Sequence, residues 1–482
     1  MAAHKKMSSV EVRQSLDYPV IDADAQVVEA PFALQDFLKQ VAGAKTAERY
    51  AAQRRRERGL FWAIPSGKYT LDRATVMLPR LYAKRLEEAG IDFAIVYTTA
   101  GIGTWMHRDE DDTRAFARAL NMMYADMFKD VKNKLTVSAV IPMNTPDIAI
   151  EELEYCVKTL GYKAATIGAE VRRTIPGAQA GDAPQISHYV DSLTIDSPYD
   201  YDPFWAKCVE LGVAPATHSS VQGSARRCSP TNYVYNRLGD FGVAGEHACR
   251  SLFLGGVTRR FPSLKVAFLE GGVGWAAQLY NDLFEFWEKR NEKYLRDVMD
   301  PAKLDLDLMV EMFGKYGTPY LTAERIKANP SLGSSSTAGS DLPLDDFAAC
   351  KITSKQDLHD LFVPNFYFGC EADDRMNKVA FDTKLNHLGA KLKAIFSSDI
   401  GHWDVIDMTH VLEEVWEGVV YEAMTEEDFK NFVFASPAEL HASMNPDFFK
   451  GTAVEGGVAK LQAERGFGHG AKGAKPKTSA AE

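Results

Sequence analysis

The chain has 482 residues, 46% hydrophobic and 25% charged, the balance of an ordinary globular protein. A net charge of −11 at pH 7, with a pI near 5.6, argues against nucleic acid as a partner, because phosphates need a basic surface. No apolar run approaches the ~20 residues that cross a bilayer, and the lysines near Met1 have no apolar core behind them. Six scattered cysteines without a CxxC pair fit reduced thiols, so a cytoplasmic chain with no membrane contact is expected.

In chain order, eight short apolar runs predict strands at Pro19–Asp24, Phe93–Thr98, Leu135–Pro142, Lys163–Gly168, Val213–His218, Leu264–Glu270, Asn365–Cys370 and Ala394–Asp399. Most are near-continuous rather than alternating, as expected of strands covered on both faces. Amphipathic stretches such as Asp147–Leu160, Asp202–Leu211 and Asp407–Glu417 carry helical spacing between them. Strand and helix alternating eight times predicts an α/β (β/α)8 barrel, with a doubly wound sheet as the competitor. The barrel domain is placed at 18–445. Two segments, about 30–88 and 292–362, are too long for plain connections and are expected as lids or subunit contacts in a homo-oligomer. Phe61, Trp62 and Tyr69 are candidate pocket walls, and the Gly/Ala/Lys-rich tail 466–482 is expected to be disordered.

The chemistry lies at the strand ends. Asp22, Asp24 and Gln26 alternate along the first run and so share one face. Later runs end in His218, Glu270 and Asp399, the last followed by His402. Buried carboxylates are costly unless they hold a cation, which predicts a metal site at the C-terminal mouth of a barrel. The plainer alternatives are a capping carboxylate at Asp24, a core histidine at His218, a tight turn after Glu270 and a closing salt bridge at Asp399.

These residues carry a resemblance. Ile21-Asp22-Ala23-Asp24 with Glu29, Asp202-Pro203-Phe204-Trp205, His218, Arg260-Phe261-Pro262, Leu269-Glu270-Gly271-Gly272 with Trp275, and Ser398-Asp399 with His402-Trp403 follow in order. The chain thereby resembles the amidohydrolase-related, metal-dependent barrel enzymes, the branch that includes aminocarboxymuconate-semialdehyde decarboxylase. The resemblance implies a divalent metal (manganese, iron or zinc) held among Asp24, Gln26, His218, Glu270 and Asp399, with Asp399, His218 and His402 catalytic. It departs at Gln26, where the family carries histidine; an amide oxygen is the weaker ligand for a transition metal. The expected activity is hydrolysis of a small organic acid, ester, lactone or thioester. Non-oxidative decarboxylation is the alternative, and a metal-free binding or scaffold barrel the third reading.

Overall fold

The computed structural model describes residues 5–56, 65–104, 109–175, 188–221, 229, 231–329, 344–405 and 407–468. All eight predicted runs are strands: β1 (Ile21–Val27), β2 (Phe93–Thr98), β3 (Leu135–Val140), β4 (Ala164–Ile167), β7 (Pro215–Thr217), β8 (Val266–Phe268), β9 (Phe366–Cys370) and β10 (Lys393–Phe396). An antiparallel hairpin, β5 (Val171–Thr174) with β6 (His188–Asp191), lies between β4 and β7 and was not predicted. The eight run parallel in the order β1-β2-β3-β4-β7-β8-β9-β10. The sheet closes where Asp399 N donates to Asp24 O (3.1 Å) and Gln26 N donates to Ile400 O (3.3 Å). Nearly every residue of these eight strands is buried, the condition of a sheet filled inside and covered by helices outside.

β1 differs most from expectation. It starts two residues late and continues past Asp24 to Val27, because pairing with β2 resumes at Ala25 after a register shift. Asp24 and Gln26 are therefore both within the strand. The predicted helix Asp202–Leu211 is present with those bounds. Asp147–Leu160 is instead an α-helix Pro146–Tyr155 that widens into a π-turn at Cys156–Leu160, and Asp407–Glu417 becomes Val411–Val420 behind a short 3-10 turn.

Packing extends beyond 18–445. The helix Ser9–Ser15 lies against Val411–Val420, and Glu455–Arg465 buries Val458 and Leu461.

The first insertion folds as helices Pro31–Arg56, Thr70–Met77 and Pro79–Arg85. Thr70–Met77 reaches the barrel mouth: Val28 N donates to Val76 O, and Val76 packs so close to Gly401 that a Cβ there would sit 3.0 Å from it. With φ of +117°, Gly401 is also held in a conformation that side chains rarely adopt.

The second insertion does not cover the mouth over its later described part. Arg259 holds Cys350 O and Asp357, and the helix Lys355–Phe362 packs on the outer helix Gly274–Arg290. Phe61, Trp62 and residues 330–343 lie outside the described residues, as does the tail from 469.

Candidate active site at the barrel mouth

Position along the strand decides what each carboxylate does. Asp22, deepest on β1, is saturated: Oδ1 accepts from Asp24 N and Ser398 N (both 3.1 Å), and Oδ2 accepts from Ser398 Oγ (2.5 Å). It clasps β1 to the end of β10, and burial pushes its carboxyl up to about 6. Asp24, one step higher, accepts from Gln26 Nε2 (3.0 Å) and Ser397 Oγ (3.3 Å). Burial, joined by the charges of Glu270 and Asp22, raises it to about 7 against the opposing pull of His218.

His218, past the end of β7, is fully buried between Tyr97 and Phe241. Its Nε2 lies 2.6 Å from Glu270 Oε2, and its Nδ1 lies 3.9 Å from Asp24 Oδ1. Burial works to lower the imidazole's pKa, but Asp24 and Glu270 overcome it and raise it. Glu270 follows β8, and its other oxygen is held by Arg237. Burial works to raise Glu270; the bonds from His218 and Arg237 hold it down at about 2.

Asp399 follows β10 with both oxygens buried and without a hydrogen-bond donor. His402 Nδ1 lies 2.7 Å from Asp399 Oδ1 but out of hydrogen-bond alignment, and His402 Nε2 hydrogen-bonds Thr99 Oγ1 at 3.0 Å. Burial, with Glu270 and Asp404 nearby, drives the Asp399 carboxyl well above its usual range; burial also lowers His402.

Glu270 and Asp399 adopt φ of 57° and 51°. The left-handed region costs a non-glycine residue on the order of 1 kcal/mol or more, and such residues gather where a side chain must be aimed. Beside Glu270, Gly272 is held at φ +68°, where side chains are strained, and a Cβ there would push Asp374 Oδ2 aside at 2.7 Å.

The structure thus brings Asp24, Gln26, His218, Glu270, Asp399 and His402 to one mouth. They do not form a single compact shell. Donor atoms of Glu270, Asp399 and His402 lie within 4.8 Å of one another, as do those of Glu270, Glu371, Asp399 and Asp404; Asp24 and His218 belong to neither set. The residues present fit a divalent cation. Buried Gln26 Oε1, His218 Nδ1 and both Asp399 oxygens lack any partner, and such atoms in a native site call for an ion or water.

Arg237, Glu371, Asp404 and Thr99 escaped the sequence reading. Glu371 carried a usable signal, since it directly follows the predicted strand Asn365–Cys370; Arg237, on the five-residue helix Tyr233–Arg237, carried none. A cavity of about 450 Å3 opens on this mouth, lined by Arg237, Phe241, Glu270, Glu371, Trp403 and Asp404 among others. Tyr69 is not among its walls. Two motif carboxylates outside the mouth make ordinary fold contacts. Asp202 takes both arms of Arg260 (2.5 and 2.8 Å), and Glu29 accepts from Ala100 N (2.9 Å) and Tyr124 OH (3.1 Å).

The chain is similar to known proteins. Over 215 residues it is 26% identical to gamma-resorcylate decarboxylase of Polaromonas sp. (strain JS666 / ATCC BAA-500), a stretch covering 43% of this chain and 60% of that protein. The chain therefore spans less than two thirds of that curated relative. Among solved structures, an amidohydrolase from Mycobacterium avium subsp. paratuberculosis K-10 aligns over 88% of this chain and 98% of its own, at 16% identity and a TM-score of 0.52. A 2,6-dihydroxybenzoate decarboxylase complexed with 2,6-dihydroxybenzoate aligns over the same shares at 15% identity and a TM-score of 0.50. At such identities the structures establish the barrel fold alone. The amidohydrolase family model matches residues 21–306, more than half of the chain and all of the mouth up to Glu270, and the chain belongs to that family.

Proposed function

We propose that this protein is a metal-dependent, non-oxidative decarboxylase of a small aromatic carboxylic acid, the alternative rather than the leading expectation from sequence. The observation that carries the reading is the Arg237 guanidinium on the wall of the 450 Å3 cavity, packed over Phe241 at 4.4 Å and contiguous with the buried acid–histidine pairs. A cation beside aromatic walls suits a single ring bearing a carboxylate. The gamma-resorcylate decarboxylase relative supports the same chemistry.

Asp24, Gln26, His218 and Asp399 would hold the divalent ion, with Glu270 fixing the His218 ring. When bound, that ion supplies Lewis acidity toward an oxygen of the substrate. Arg237 orients the carboxylate. The Asp399–His402 pair, steadied by Thr99 at the far ring nitrogen, holds the proton and delivers it to the ring carbon that bears the carboxylate. The bond from that carbon to the carboxylate then breaks, its electron pair restores the ring, and carbon dioxide leaves.

The test is incubation of the Mn2+-loaded protein with hydroxybenzoates in deuterated water. Carbon dioxide release with one deuterium on the ring is expected. Turnover of esters or lactones without carbon dioxide would restore the hydrolase reading. Arg237→Lys should weaken kcat/KM by about 10-fold or more, because an ammonium cannot reproduce the planar fork.

A further inference from the structure

Glu371, directly after β9, and Asp404, in the turn after β10, take no part in the chemistry above. Their carboxylates nonetheless reach the same point as Glu270 and Asp399, with one donor atom of each residue within 4.8 Å of the others. That spacing is what a single ion requires, since oxygen ligands at about 2.1–2.4 Å place opposed donors about 4.2–4.8 Å apart.

Crowded carboxylates alone would prove little. Asp399 supplies the independent observation: it is fully buried, points into the cluster and has no donor on either oxygen. Asp404 Oδ1 is likewise buried and unpartnered. Here acceptors face acceptors, an arrangement that is costly unless a proton or a cation lies between them. The neighbouring Arg237 answers only part of the charge: it binds Glu270, while its Nη2 stays 3.9 Å from Asp404 Oδ2.

We propose that Glu371 and Asp404, together with Asp399 and Glu270, form a second cation subsite beside the one holding Asp24, Gln26 and His218. It takes a hard, oxygen-preferring divalent ion such as Mn2+, because all its donors are carboxylate oxygens. Glu371 and Asp404 both line the open cavity, so an ion can enter from solvent. The inference rests on the metal reading above and extends it from one ion to two.

The experiment counts ions on the full chain after chelator treatment and back-titration with Mn2+, by calorimetry and by electron paramagnetic resonance. Two Mn2+ per chain, with the spectral broadening of a coupled pair, is expected. Asp404→Asn should weaken the second binding step by 10-fold or more and leave the first within about 2-fold. The pair Glu371→Gln/Asp404→Asn should bind one uncoupled ion, with circular dichroism and melting on the same samples confirming the fold. A single Mn2+ on the unmodified chain would overturn the second subsite, leaving a shared proton as its occupant, while the one-metal reading stands. No bound Mn2+ would overturn both. Two ions retained in the double variant would place the second ion elsewhere and overturn the assignment.

Discussion

Gln26 stands where the resemblance implies a histidine, and its geometry shows what the amide does there. The amide nitrogen is spent on Asp24 Oδ1, which leaves the buried carbonyl oxygen free to face the mouth. Gln26→His should therefore tighten Zn2+ or Mn2+ binding by about 10-fold or more, as imidazole is the better donor. Affinity unchanged in calorimetry would remove residue 26 from the ligand set. Asp399→Asn makes the opposite claim. It should cut turnover by about 1,000-fold without lowering the melting temperature, since no protein donor is lost and crowded negative charge is relieved. A structural salt bridge at Asp399 would instead show as a lower melting temperature with activity kept.

Elements hold these residues in place, and two can be tested. Arg85 Nη1 pairs with Asp72 Oδ1 at 2.6 Å, both nearly buried, and Met408 N lies 3.5 Å from Asp72 Oδ2. This pair ties the helix Thr70–Met77 to the chain just beyond Asp399, His402 and Asp404. Arg85→Met strands a buried carboxylate and should cost about 3–5 kcal/mol in urea unfolding. Asp72→Asn in the same background should recover much of that cost; no recovery would mean Arg85 acts by packing alone.

The helix Ser436–Ala442 packs on β1 and β10 and carries His441, stacked on Phe448 with neither ring nitrogen partnered. Burial lowers its pKa to about 3. The unfolded chain binds the proton that the folded chain refuses, so this contribution is intact above pH 6.5 and erodes as pH falls toward 3. The loss is about 2 kcal/mol at pH 5. His441→Leu should flatten that acid limb of the unfolding midpoint, and an unchanged limb would assign it to other groups.

At the scale of the molecule, the barrel was readable because buried parallel strands leave continuous apolar runs, and all eight are strands. The placement of His218, Glu270 and Asp399 at one mouth was readable for the same reason: a charged residue closing such a run stands out. Arg237 was hidden because its place at the mouth depends on where a five-residue helix sits, which no local pattern encodes. The hairpin β5–β6 was hidden in a polar stretch, Val-Arg-Arg-Thr against His-Tyr-Val-Asp, without a core-facing run. Where the later described part of the second insertion packs was not legible, because length reveals that a segment must fold, not which side of the barrel receives it. No helix among the described residues is long and apolar enough to cross a membrane.

The seam between β1 and β10 sets an order of events. Asp24 and Asp399 are joined through Asp399 N and Asp24 O, yet hundreds of residues separate them along the chain. Closing so long a loop carries an entropic cost that the contact must offset before it is stable. The full donor set, which includes Asp399, therefore cannot assemble before β10 has docked on β1. Ion capture in refolding should follow, never precede, barrel closure, so a bound metal would report that the last strand has docked on the first.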